Sequence, residues 1–137
     1  MKPKMLALAA VSVSLLSGAA FAQGGMAVKA SDQSVAEGTV MASEVMAGEN
    51  GWLVVHRTAD GMKPGPVVGH SPLKKGKNTN VVAILTEKVA GGDKLMLMLH
   101  SEDGGTKMGI FEYTLGAKED GPVKMNDKLV MDVITVK

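Results

Sequence analysis

Apolar residues in this chain recur at every second position. In "KLMLMLHS", Lys94 to Ser101, the side chains of Leu95, Leu97 and Leu99 share one face, and Met96, Met98 and His100 share the other. "GWLVVHR" behaves alike, with Trp52, Val54 and His56 opposite Leu53, Val55 and Arg57. A strand that is apolar on both faces is central, with one side in a core and the other beneath a loop or partner. In "IFEYTL", Phe111, Tyr113 and Leu115 alternate with Glu112 and Thr114, which predicts a half-buried strand. The pattern as a whole predicts strands near Met26–Ala30, Thr39–Met46, Trp52–Arg57, Val67–His70, Asn80–Lys88, Lys94–Ser101, Gly109–Leu115 and Lys128–Val136, and no helix. Between them lie "GENG", "ADGMKPGP", "KKGKN", "AGGD", "EDGG" and "AKEDGP", all rich in residues that bend the chain. Seven to eight short strands punctuated in this way make an all-β, antiparallel Greek-key sandwich. Pro64 and Pro66 are expected to confine the Val67 strand to an edge, and Trp52 to anchor the core between the sheets.

The ends change the picture of where the chain works. Met1-Lys2-Pro3-Lys4 is basic, Met5 to Leu16 is an almost unbroken apolar run, and Ala20-Phe21-Ala22 supplies the small residues that precede a cleavage site. Residues 1–22 are therefore expected to be a secretory signal peptide, cut between Ala22 and Gln23, followed by a mature N-terminal segment (23–31) and a β-sandwich domain (32–137). This places the mature chain outside the cytoplasm, secreted or periplasmic. No segment approaches the roughly 20 apolar residues of a membrane span. There is no cysteine, so a secreted fold must rest on its core and its ladder alone. Without Lys2 and Lys4 the chain carries 13 basic and 14 acidic side chains, well mixed. With only Trp52, Phe111 and Tyr113 left to stack bases, nucleic acid is excluded as a partner.

The ordered pieces "DQSV", "GWLVVH", "PGPVVGHSPLKKGKNTNV", "LMLMLHSEDG", "FEY", "DGPV" and "LVMDVITV" together resemble one family. It is a secreted or cell-surface β-sandwich domain of unknown function, known mainly from haloarchaea and also from bacteria. The resemblance spans about Asp32 to Val136 and implies an immunoglobulin-like or cupredoxin-like sandwich in an envelope protein. It implies no activity. This chain departs from the haloarchaeal pattern in being nearly neutral and rich in methionine.

Candidate chemistry is sparse. Met96, Met98 and His100 on one strand face, with Met108, Met62 or His70 arriving from a loop, offer the soft ligands that copper(I) prefers. The plainer reading is that methionine fills irregular core space. His56, His70 and His100 each end an apolar run and, with Trp52, are the candidates for a binding surface if they converge. Alternatively their imidazoles hydrogen-bond to loop backbone and fix the turns. A type 1 copper centre needs a thiolate and is excluded, while a zinc or copper(II) site of histidines alone falls short of the usual four ligands. "SEDGGTKMG" offers too few oxygen ligands for calcium and reads as a turn. No catalytic constellation is present: Ser71 and Ser101 follow histidines, but neighbours on a strand point to opposite faces. The sequence therefore reads as a non-enzymatic envelope or periplasmic module without a cofactor. Its expected work is binding or assembly with an envelope protein, or self-association through sheet edges. The alternative is a periplasmic copper-binding protein using Met96, Met98, His100 and Met108.

Overall fold

The computed structural model describes residues 25–114 and 118–137. The expected leader and its cleavage site lie outside these residues. The strands are β1 (Ala27–Ala30), β2 (Thr39–Ala47), β3 (Gly51–Thr58), β4 (Val67–Leu73), β5 (Gly76–Leu85), β6 (Lys94–Ser101), β7 (Lys124–Met125), β8 (Lys128–Leu129) and β9 (Met131–Thr135). No helix occurs among the described residues, and none is long and apolar enough to cross a membrane.

Seven strands form one antiparallel sheet in the order β1-β2-β5-β4-β3-β6-β9, with β7 and β8 as a separate hairpin. That hairpin turns on Asn126 and Asp127, both left-handed at φ 55° and 65°, as a two-residue turn requires. Strands β3, β4 and β5 are successive neighbours while β2 returns beside β5, which is a Greek key. The three residues Gly48 to Asn50 carry the chain from β2 to β3, which are not neighbours, and so across the core. β4 and β5 share only the pairs Gly69↔Leu85 and His70↔Ile84. The sheet folds there into two layers, β1-β2-β5 facing β4-β3-β6-β9. On the far side β1 approaches β9 without a continuous ladder. Ala30 N–H donates to Asp132 Oδ2 at 2.9 Å, Thr135 N–H to Asp32 Oδ1 at 2.9 Å, and Gln33 meets Val136 in one parallel bridge. The sandwich is thus nearly a closed barrel.

Why particular side chains face inward follows from parity, with one interruption. Val40 and Ala42 are buried on β2, and then Val45 and Ala47, so the inward set shifts by one residue between them. The register of β1 on β2 shifts at the same level, where Lys29 pairs with Glu44 and Ala30 with Ala42. Across the ladder from Ser43, Asn80 sits at φ 50°, a conformation asparagine tolerates, and β5 resumes with Val81 and Ala83 inward. The core between the layers contains Val40, Ala42, Val45, Leu53, Val55, Ala83, Leu95, Leu97, Leu99 and Ile134.

Three expectations need correction. The segment 109–114 forms no strand; it is part of a loop lying over β3 and β6, and Leu115 lies outside the described residues. Its alternation is real, but its backbone bonds to carboxylates rather than to a neighbouring strand. β4 is not an edge strand, although its ladder to β5 is short and Pro72 within it has no N–H to give. Trp52 does not lie between the layers. Leu53 and Val55 take the inward positions, so Trp52 is turned to the opposite, loop-covered face.

Candidate functional site

β3 and β6 pair in a register that sets Trp52 against His100, Val54 against Met98 and His56 against Met96, all six residues on one face. The two histidines therefore stand at diagonal corners with the Val54–Met98 pair between them. They lean toward each other, and both are fully buried. Their Nε2 atoms come within 3.3 Å, with ring centroids 5.4 Å apart and planes inclined by 32°.

Each ring is held from behind by a backbone carbonyl. His56 Nδ1 lies 2.8 Å from Gly65 O, and His100 Nδ1 lies 2.6 Å from Asp120 O. Gly65 is placed by two bonds that extend the β3–β4 pairing, Arg57 N–H to Pro66 O at 2.9 Å and Gly65 N–H to Arg57 O at 2.7 Å. A Cβ at position 65 would come 2.7 Å from the Arg57 carbonyl oxygen, so glycine is required there. Asp120 is placed by its own N–H on Asp103 O at 2.8 Å and by the bridge between His100 and Pro122.

The tautomers follow. A carbonyl oxygen only accepts, so Nδ1 carries the hydrogen on both rings. Two neutral imidazoles then present two bare lone pairs to each other at hydrogen-bond distance. A proton or a metal cation between them would relieve that repulsion. Burial opposes a proton: it lowers the affinity of His56 for one, and it brings the pKa of His100 down to about 4, with the facing His56 adding to the effect.

The covering loop, described over residues 102–114 and 118–122, closes this face with aromatic rings. Phe111 stacks on His70 at 4.5 Å and meets Trp52 edge-on at 5.4 Å. Tyr113 stands edge-on to His100 at 4.6 Å and to His56 at 6.0 Å. Three carboxylates organise the loop. Glu102 accepts from Trp52 Nε1–H at 3.2 Å and from the Gly109 N–H. Glu112 accepts from Thr106 N–H at 3.2 Å and from its hydroxyl at 2.9 Å. The buried Asp120 carboxyl accepts from Asp103 N–H at 3.1 Å and Glu112 N–H at 2.7 Å. Burial, reinforced by the nearby Glu102, raises the proton affinity of Asp120, while the Gly109 N–H foremost lowers that of Glu102. Asp120→Ala leaves two loop N–H groups unpaired, and the expected cost is about 2 kcal/mol. Urea denaturation checks this, and easier quenching of Trp52 fluorescence reports the loosened loop.

The sequence candidates separate. His56 and His100 meet each other. His70 is exposed at the rim and joins Trp52 and Phe111 instead, with ring centroids 5.6 Å from Trp52. Met96 and Met98 lie fully buried on the His100 face, while Met108 is 92% exposed and Met62 is 74% exposed. The alternative of histidines bonded to loop backbone describes both Nδ1 contacts. Sequence reasoning placed His56 and His100 among residues that could converge but did not separate them from His70, although their shared parity on adjacent apolar strands was the available signal. It did not identify Asp120, nor which two carbonyls accept from the rings, since a main-chain oxygen leaves no mark in composition. Among the described residues no group of three or more His, Cys, Asp or Glu gathers as a metal cluster.

Residues 26–137 match the family described as a domain of unknown function, DUF7282, and the chain belongs to that family. No curated protein and no solved structure matches the chain.

Proposed function

We propose that this DUF7282 domain is a non-enzymatic, extracytoplasmic binding module whose ligand is a transition-metal ion held by His56 and His100. The observation that carries the reading is the 3.3 Å approach of two Nε2 atoms whose Nδ1 atoms are both committed to carbonyl oxygens. Two nitrogens each about 2.0–2.1 Å from one tetrahedral ion stand about 3.3 Å apart. Backbone tethers on the far nitrogen are what orient a ligating imidazole and fix its tautomer. The leader read in residues 1–22 supports an extracytoplasmic setting, where such ions are met in the absence of any cysteine.

The test is a titration of the purified, chelator-stripped protein with zinc(II), copper(II) and copper(I) against competing chelators. One ion bound per chain, and its loss in both His56→Gln and His100→Gln, is the expected outcome. Equal binding by wild type and both variants would defeat the proposal.

A second reading has its own observation. Met41 and Val82 pair across β2 and β5 with Ile84 nearby, and all three are exposed on the outer face of that layer. That face supports a module assembling with an envelope protein or a second copy. On this reading the histidines are tethers for the loops, and their replacement alters stability but no metal uptake.

A further inference from the structure

Resting on the metal-binding reading above, the geometry points to copper(I) as the ion, in a three-coordinate site completed by the Met98 thioether. Three observations converge on this. The first is position. Met98 and Val54 are the residue pair that lies between His56 and His100 on their shared face, and of the two only Met98 has a donor atom. Met98 is fully buried there, and the core cluster takes Leu97 and Leu99 from the other face of the same strand. Met96 stands directly opposite His56 and away from His100, so it is the natural control.

The second is charge. The two imidazoles are neutral, the thioether is neutral, and no third His, Cys, Asp or Glu gathers with the pair among the described residues. The cost of taking an ion from water into a dry, weakly polar site grows with the square of its charge. A monovalent cation is therefore favoured over a divalent one by a site that supplies no negative charge. Zinc(II) and copper(II) in proteins ordinarily find carboxylate, thiolate or water to complete their shells.

The third is softness and enclosure. Thioether sulfur with imidazole nitrogen selects copper(I) among the common first-row ions. The Tyr113 and Phe111 rings set edge-on against His100 restrict the water and the tetragonal geometry that copper(II) prefers. Electrons need not move in this site; it holds the reduced ion and shields it. The sequence alternative of Met96, Met98, His100 and Met108 is thereby reduced to Met98 and His100, with His56 as the ligand it lacked and Met108 left on the surface.

The experiment is an anaerobic titration of the metal-free full-length protein with copper(I) against a chromogenic chelator, beside a zinc(II) titration. It is run on wild type, Met98→Leu, Met96→Leu and His56→Gln. Leucine nearly conserves the volume of methionine, so both Leu variants are expected to fold, and thermal melts check this. Copper(I) is expected to bind one per chain and about 100-fold more tightly than zinc(II). Met98→Leu is expected to weaken copper(I) by at least about tenfold and to leave zinc(II) unchanged, while Met96→Leu changes neither. X-ray absorption of the copper(I) form should show one sulfur scatterer that Met98→Leu removes. Histidine-dependent zinc(II) binding without a copper(I) preference would overturn this inference and leave the metal-binding reading standing. Tight copper(I) binding that is indifferent to Met98→Leu would overturn the thioether. No binding of any ion, with the imidazole ¹⁵N shifts reporting a proton shared between the two Nε2 atoms, would overturn both.

Discussion

Replacing Gly51 by alanine is expected to destabilise the protein by about 3 kcal/mol, the upper range for forcing an atom into a packed interior. Gly51 opens β3 between two neighbours, paired with Leu73 of β4 and Ser101 of β6, and is itself buried. A Cβ added there is driven into the His100 carbonyl oxygen. That oxygen is backbone in a strand fixed on both sides, so it yields only if the β3–β6 ladder slides. Gly48, three residues earlier, is the control. Its Cβ would meet the Met26 thioether sulfur at 3.3 Å, and the end of a flexible side chain moves easily. Gly48→Ala is therefore expected to stay within about 0.5 kcal/mol of wild type. Urea titrations of the two variants make the comparison, and a Gly51→Ala protein as stable as Gly48→Ala would mean that β3 and β6 are not held at this spacing. Since the displaced oxygen belongs to His100 itself, any metal binding of the kind proposed should fall along with stability.

Acid is expected to destabilise the metal-free protein well before its carboxylates titrate. The folded-state pKa of His100 is about 4 against an ordinary 6.5, because burial penalises the charged ring. As pH falls below 6.5 the unfolded chain takes up a proton that the folded chain refuses. Stability is therefore lost from pH 6.5 down to about 4, by on the order of 3 kcal/mol for this one group. His56 and the more exposed His70 are shifted in the same direction and for the same foremost reason, so they deepen the slope. Glu102 and Glu112, both shifted down, add losses at lower pH, whereas Asp120, shifted up, works the other way. Chemical denaturation at half-unit pH steps measures the curve. His100→Gln should flatten it between pH 6.5 and 4, and a flat wild-type curve in that window would show that the pair is not held neutral.

How much of this was visible in the residues alone differs from element to element. β3 and β6 were legible because their alternation is unbroken, and the double-sided apolar pattern implied a cover that the loop carrying Phe111 and Tyr113 supplies. Phe111 and Tyr113 have the same alternation, yet they sit in a loop. Period two says which side chains share a face and leaves open what the backbone bonds to, and here it bonds to Asp120. The parity switch at Ser43 and Asn80 was invisible for a related reason. Neither residue by itself marks where the parity changes, and only their meeting across the β2–β5 ladder accommodates the slip. At the site, the soft character of the Met98 and His100 face was legible. The choice of His56 as partner was not, because it depends on the β3–β6 register, which the hydrophobic pattern alone does not number.

The two acceptors behind the imidazoles are main-chain oxygens, of Gly65 and Asp120. An oxygen of that kind belongs to every amino acid, so no point substitution deletes it. What can remove it is a change in the course of the chain, such as a residue gained or lost between Thr58 and Val67 or between Ser101 and Pro122. Across relatives, the persistence of the paired rings should therefore track the lengths of these two spans, and the letters within them are free to drift wherever the path is kept.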